Sequence, residues 1–176
     1  MRRGRLKKSG DEAPEDQALG RSRGGFTTKI HILCDGQGHP LCFHLTAGQT
    51  HESTVFDTLL EHADQTLQDG NGQRVAWPVA LAGDKGYRAD WIDEYLLQLG
   101  IQPVIPTAEN QDRDKRPVKF NKRLYRCRHI IENLIGWLKE SRRIFTRYEK
   151  TTRNFAGMIK WACLLQYLRY DVKIAF

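Results

Sequence analysis

The 176 residues are 40% hydrophobic and 28% charged, with four Trp, six Tyr and seven Phe, which is enough apolar material for a core and excludes a wholly disordered chain. No stretch approaches the ~20 apolar residues of a membrane span, and the basic first eight residues have no apolar segment behind them, so neither an integral membrane protein nor a secretory leader is expected. The net charge of +7 is concentrated in one place: residues 113–160 hold 15 Lys and Arg against 4 Asp and Glu, whereas residues 1–112 hold 11 against 16. A field of that sign suits a polyanion such as nucleic acid, a solvated basic helix face being the plainer alternative.

In chain order, residues 1–24 mix both charges with Gly and Pro and lack apolar periodicity, which predicts a flexible charged arm. Residues 27–34 and 41–46 alternate as two strands, and Asp35-Gly36-Gln37-Gly38 supplies the turn of a hairpin. A helix is predicted from Ser53, an N-cap residue, with Val55, Phe56, Leu59 and Leu60 on one side. The apolar run 77–82 reads as a strand covered on both faces and ends in Gly83-Asp84-Lys85-Gly86-Tyr87. Asp90 is placed to cap a helix that Gly100 closes at the C′ position. Residues 101–106 form a further short strand, 107–118 a polar loop, and 122–142 and 154–169 two long helices. This order predicts an α/β fold, a mixed sheet with helices packed on it.

The four cysteines, Cys34, Cys42, Cys127 and Cys163, contain no C-x-x-C pair and read as reduced thiols. His129 beside Cys127 lacks a partner pair at zinc spacing. His31, His44 and His51 receive no role, Trp91, Trp137 and Trp161 are expected in the core, and Trp77 is expected to pack. The basic run 113–123 is a candidate phosphate-backbone track, or equally a solvated loop.

Two carboxylates stand out as chemistry-bearing. Asp84 follows a strand at its carboxyl end, between two glycines, where α/β sheets place their sites; an Asx-turn residue is the competing reading. Glu132 shares a helix with Tyr125, Arg128 and Lys139, and at 100° per residue all four fall within an arc of roughly 60°. Arg128 and Glu132 are also spaced as a surface i,i+4 pair. A carboxylate with neighbouring cations is what a metal-assisted phosphoryl site needs: the acid holds a divalent ion and the cations take the phosphates.

The spacing Tyr125-x2-Arg128-x3-Glu132-x6-Lys139 resembles the Y-R-E-K signature of bacterial insertion-sequence transposases of the DDE class. Residues 83–87 resemble the segment carrying their second catalytic Asp, residues 19–31 their first hairpin, and residues 142–150 the stretch after their catalytic helix. The resemblance implies a ribonuclease-H-like fold and two Mg²⁺ (or Mn²⁺) ions. It implies cutting and rejoining of double-stranded element ends into a target. Carried over by position, Asp84 and Glu132 are catalytic metal ligands, and Tyr125, Arg128, Lys139, Arg142 and Arg143 are DNA contacts. It further implies a cytoplasmic, nucleoid-associated protein, working as a homo-oligomer or with a companion upstream polypeptide.

Family members carry their first catalytic Asp on a strand ahead of the hairpin. Here Asp11 and Asp16 lie in the polar arm and Asp35 in the hairpin turn, and none replaces it. The chain therefore resembles the C-terminal part of such an enzyme: arm 1–24, partial catalytic domain 25–170 lacking the first strand, and tail 171–176. An inactive DNA-binding relic and a ribonuclease-H-like nuclease are the alternative readings.

Overall fold

The computed structural model describes residues 17–22, 24–107, 116 and 118–172. The predicted arm falls mostly outside these, as do the end of the tail and most of the 107–118 loop. Within the arm's range, Gly20–Ser22 forms a strand, β1, that pairs antiparallel with the start of β2, Gly25–Cys34, in the register Gly20↔Thr27. Arg147, itself at φ 44, holds this corner by donating to the carbonyls of Gln17 and Ala18 and to the Thr28 hydroxyl.

The expected hairpin is present. β2 pairs antiparallel with β3, Pro40–Ala47, from Thr28↔Ala47 to Leu33↔Cys42, with a bulge at Leu33/Cys34. Asp35 fixes the turn, its Oδ1 accepting from the amides of Gln37 (2.8 Å) and His39 (2.9 Å). Because strand side chains alternate, Ile30, Ile32, Phe43 and Leu45 face one layer of helices while Leu33 and Cys42 face another.

The second layer is α1, Phe56–Thr66, whose Leu59 and Ala63 bury against Cys42. It starts later than predicted. His51, not Ser53, caps a 3₁₀ turn, Glu52–Val55, by accepting from the Ser53 amide, and the α-helix begins only after that turn. α2, Asp90–Gln98, follows Ala89 without a side-chain cap. Asp90 instead sits in the first turn, and Gly100 (φ +75) closes the helix as expected because its backbone adopts the left-handed region.

Two strands are shorter than their apolar runs. Only Ala80–Ala82 (β4) and Gln102–Val104 (β5) pair, parallel to each other. Val79 is 85% exposed and Ala82 exposed, so β4 is not covered on both faces. The single mixed sheet predicted from sequence is, among the described residues, two: a three-stranded sheet of order β1-β2-β3 and the pair β4-β5. Among the described residues, β2 beyond Gly25–Thr27 pairs with β3 alone, and β4 pairs with β5 alone. A cavity of about 540 Å³, lined by Ile32–Cys34, Ala80–Ala82 and residues of the helices below, separates them.

The long helix predicted over 122–142 is three: α3, Lys122–Arg126, α4, His129–Glu140, and α5, Arg142–Phe145. Asn121 caps α3, accepting from the amides of Arg123 and Leu124. Between α3 and α4 the amides of Cys127, Arg128 and Ile130 bond three residues back (3.0 Å each), tightening the chain without reversing it. Ser141, extended at ψ 110, separates α4 from α5.

The last helix, α6, Thr152–Val172, buries Phe155, Ile159 and Ala162 against Leu134, Leu138 and Ile144. Its other side carries Trp161, which is 64% exposed, and Trp91 on α2 is 43% exposed, so neither is a core residue. The buried faces of those helices are already filled by Phe155 and Ile159, and by Ile92 and Leu96. Trp77 and Trp137 are partly buried against the two core clusters. All four cysteines are free, and no described helix is long and apolar enough to cross a membrane.

Candidate functional site

Tyr125, Arg128 and Glu132 come together. Because the tight turn at Cys127 and Arg128 keeps helical dihedrals, the one-face arithmetic survives the break between α3 and α4. The Arg128 guanidinium lies 5.4 Å from the Tyr125 ring centre, and its Nη2 is 2.6 Å from Glu132 Oε1. Lys139 is exposed two turns further along α4. Arg142 and Arg143 open α5, both exposed, and Arg143 Nη1 lies 3.8 Å from Glu149 Oε1. Cations thus continue beyond the carboxylate along the same stretch of chain.

Asp84 sits at the end of β4, exposed, and caps the 3₁₀ turn Lys85–Tyr87 by accepting the Gly86 amide at 2.8 Å. That is the Asx-turn geometry, and it leaves the carboxylate in solvent at a strand end. Ala82, two residues earlier, lines the same cavity as Arg128 and Ile131. No contact among the described residues joins Asp84 to Glu132. Nor does any group of three or more His, Cys, Asp or Glu side chains among them stand close enough to hold a metal ion. The two acids that the resemblance assigns to a two-ion centre, Asp84 and Glu132, thus stand apart from any such group among the described residues.

Sequence reading missed the surroundings of Asp84. Glu52 flanks the same glycine: a Cβ on Gly86 would stand 3.0 Å from Asp84 Oδ1 and 3.2 Å from Glu52 Cδ. Glu52 pairs with Lys29 at 2.7 Å, and Lys29 also donates to the Thr50 carbonyl. Burial opposes ionisation of Glu52, but the Lys29 hydrogen bond and charge hold its carboxyl below the ordinary value. His31, given no role from sequence, is 2% exposed. Its Nδ1 is 2.8 Å from the Tyr87 hydroxyl and its Nε2 2.8 Å from Thr46 Oγ1, tying β2 and β3 to the turn that carries Asp84. The available signal was register: His31 occupies the same strand face as Leu33, which is turned into the protein.

Burial lowers the His31 pKa from 6.5, with Glu52 and Asp84 only partly offsetting it. The unfolded chain therefore takes up a proton that folded His31 refuses, and stability is expected to fall as pH drops through 6.5. His44 shifts the same way and adds to the loss. The His31→Gln variant should show a flatter fall of Tm with acidification; an unchanged slope would rule out His31 as its source.

The run 113–123 is corrected at one position. Arg116 is buried rather than offered to phosphates: Nε and Nη2 each lie 2.7 Å from the Asp93 carboxylate, and Nη1 donates to the Ile105 carbonyl. Arg88 adds a second buried guanidinium, 3.4 Å from Asp93 and 2.6 Å from Asp90. Lys119, Lys122 and Arg123 remain exposed, and Arg113 and Lys115 lie outside the described residues.

Residues 5–166 match the transposase DDE domain family, and the chain belongs to it. It is 28% identical over 145 residues, 82% of its length, to a transposase named for insertion sequence element IS402 of Burkholderia cepacia. It spans 64% of that relative. It is 31% identical over 144 residues to a transposase named for insertion sequence element IS6501 of Brucella ovis, covering 82% of this chain and 100% of the relative. No solved structure matches significantly.

Proposed function

We propose that the chain is the carboxylate- and DNA-bearing part of a transposase that cuts insertion-sequence ends and joins them to target DNA. The observation that supports this best is the spatial union of Tyr125, Arg128 and Glu132 at signature spacing, in a member of the transposase DDE family. Asp84 and Glu132 act as the two acids. Arg128, Lys139, Arg142 and Arg143 take backbone phosphates, and Tyr125 holds Arg128 in place from below.

The third acid enters on an extended segment. β2 and β4 each turn an edge that is unpaired among the described residues toward a 540 Å³ cavity with largely aliphatic walls, and backbone pairing along both edges would merge the two sheets into one of ribonuclease-H-like order. A strand seated there and ending in Asp would place its carboxylate between the Asp84 end of β4 and the head of α4. Mg²⁺ or Mn²⁺ would then find a full ligand set, and would supply activation of the attacking oxygen and stabilisation of the leaving one. Setting for this activity would be the bacterial cytoplasm, on the chromosome.

Binding tests the DNA half directly. Affinity for duplex DNA is expected to fall log-linearly with salt, with a slope of about −0.9 per phosphate neutralised. The triple variant Lys139→Ala/Arg142→Ala/Arg143→Ala should reduce that slope by about 2–3 and weaken binding across all sequences alike. An unchanged slope in this variant would remove these three cations from the interface.

A further inference from the structure

We propose that Phe120 is a positioning residue of the Tyr125-Arg128-Glu132 cluster: its ring sets the Tyr125 ring, and through that ring the direction of the Arg128 guanidinium. The proposal rests on the reading of this cluster as a DNA-facing site. Phe120 immediately precedes Asn121, the N-cap of α3, and Tyr125 is the fourth residue of that helix. Apolar side chains at these two places form a hydrophobic staple, which fixes the angle at which the chain enters the helix. The two ring centres are 5.1 Å apart with 59° between their planes, inside the range that aromatic pairs favour.

Elsewhere a staple serves its helix alone. Here α3 has five residues, too few to hold their shape unaided, and none of them is buried. Among the described residues Tyr125 packs on none of the three core clusters. Its ring instead meets Phe120 and the Arg128 guanidinium, which lies over it at 5.4 Å from the ring centre. Arg128 Nη2 in turn lies 2.6 Å from Glu132 Oε1. A guanidinium is a planar fork of donors, and it grips a phosphate well only when the fork is aimed. Stacking on a fixed ring aims it, and the Arg128 side chain, 31% exposed, is open to a phosphate from outside.

Phe120 is itself placed from another part of the fold. Upstream of it, Arg116 is locked by the Asp93 carboxylate, 2.7 Å from Nε and from Nη2, and by the Ile105 carbonyl. The stretch that delivers Phe120 is thus fastened to α2 and to the end of β5, the strand paired with β4, which leads to Asp84. Tyr125, Arg128 and Glu132 belong to α3 and α4. Contact between Phe120 and Tyr125 joins the one to the other.

Two measurements on the 176-residue chain test this. One is the NMR shift of the Arg128 Nε–H, which the Tyr125 ring current displaces; the other is the salt dependence of binding to one fixed DNA duplex. Arg128→Ala identifies the resonance and is expected to reduce the salt slope by about 1. Phe120→Ala is expected to return the Arg128 resonance toward that of a free arginine and to reduce the slope equally, with no further loss when both substitutions are combined. Phe120→Tyr keeps a ring in place and should retain both signals. Asn121→Ala removes the other device that starts α3 and leaves the rings, so it should lower stability without moving either signal. Should Phe120→Ala not fold, Phe120→Leu keeps an apolar staple without a ring and carries the same expected losses. An unmoved Arg128 resonance, a slope that Arg128→Ala reduces and Phe120→Ala does not, or an Asn121→Ala variant that reproduces Phe120→Ala each overturns the proposal. A resonance that moves while Arg128→Ala leaves the slope unchanged upholds the role of Phe120 and removes Arg128 from the DNA interface.

Discussion

Replacing Asp93 by Ala is expected to destabilise the protein by about 3–5 kcal/mol, because it leaves the buried Arg116 guanidinium without its counter-charge and Arg88 with Asp90 as its remaining carboxylate. The Asp93 and Arg116 side chains are each 2% exposed and Arg88 is 4% exposed, so water cannot take over the lost interactions. Among the described residues Arg116 pairs with no carboxylate other than Asp93, and Arg88 already has Nε and Nη1 without hydrogen bonds. The effect should reach beyond α2: Asp93 anchors the stretch around residue 116, and Arg116 also satisfies the Ile105 carbonyl just past β5. Denaturant unfolding measures it. A joint exchange of Asp93 and Arg116 for Leu and Met should recover much of the loss, since a buried pair replaced by apolar side chains costs far less than one partner left alone. A loss below about 1 kcal/mol for Asp93→Ala would mean that water or a rearranged Arg88 reaches the site.

What the sequence made legible follows from which interactions are local. The hairpin could be read because alternation and the Asp35 turn act within a few residues, and the α2 terminus because Gly100 needs only its own φ. The Tyr125-Arg128-Glu132 cluster could be read because helical spacing carries across a tight turn. Other features depend on partners far along the chain. Nothing near Arg116 announces that Asp93, twenty-three residues earlier, will take it out of solvent. His31 meets Tyr87 across 56 residues, and Glu52 meets Gly86 only once α1 has packed on the hairpin. The split of the sheet was hidden for the same reason: the apolar run 77–82 carries the composition of a covered strand, yet pairing on one edge alone leaves Val79 and Ala82 in solvent. Trp161 failed for another cause, since α6 is apolar on two sides and periodicity does not say which side the core will choose.

The largest functional effect is expected at the two acids. On the proposed reading, the 176-residue chain binds DNA but joins no strands, because Asp84 and Glu132 alone give a two-ion centre no bridging ligand. Supplied with a segment that seats an Asp-ended strand between β2 and β4, it is expected to transfer element ends in Mg²⁺. Asp84→Ala or Glu132→Ala should then return that activity to background while leaving duplex affinity within a few-fold. Neither acid is committed elsewhere at much cost. Glu132 is 52% exposed in its ion pair with Arg128, and exposed i,i+4 pairs are worth only about 0.3–0.5 kcal/mol. Asp84 gives one oxygen to the Gly86 amide, a bond that a metal-bound carboxylate can keep. Arg128 is released toward phosphate by the same exchange, so Arg128→Ala should impair strand transfer more than it impairs stability. A gel assay of strand transfer decides the matter. Joined product from the unaided chain, or full activity in Asp84→Ala after the strand is supplied, would show that these two carboxylates are not the acids of the site.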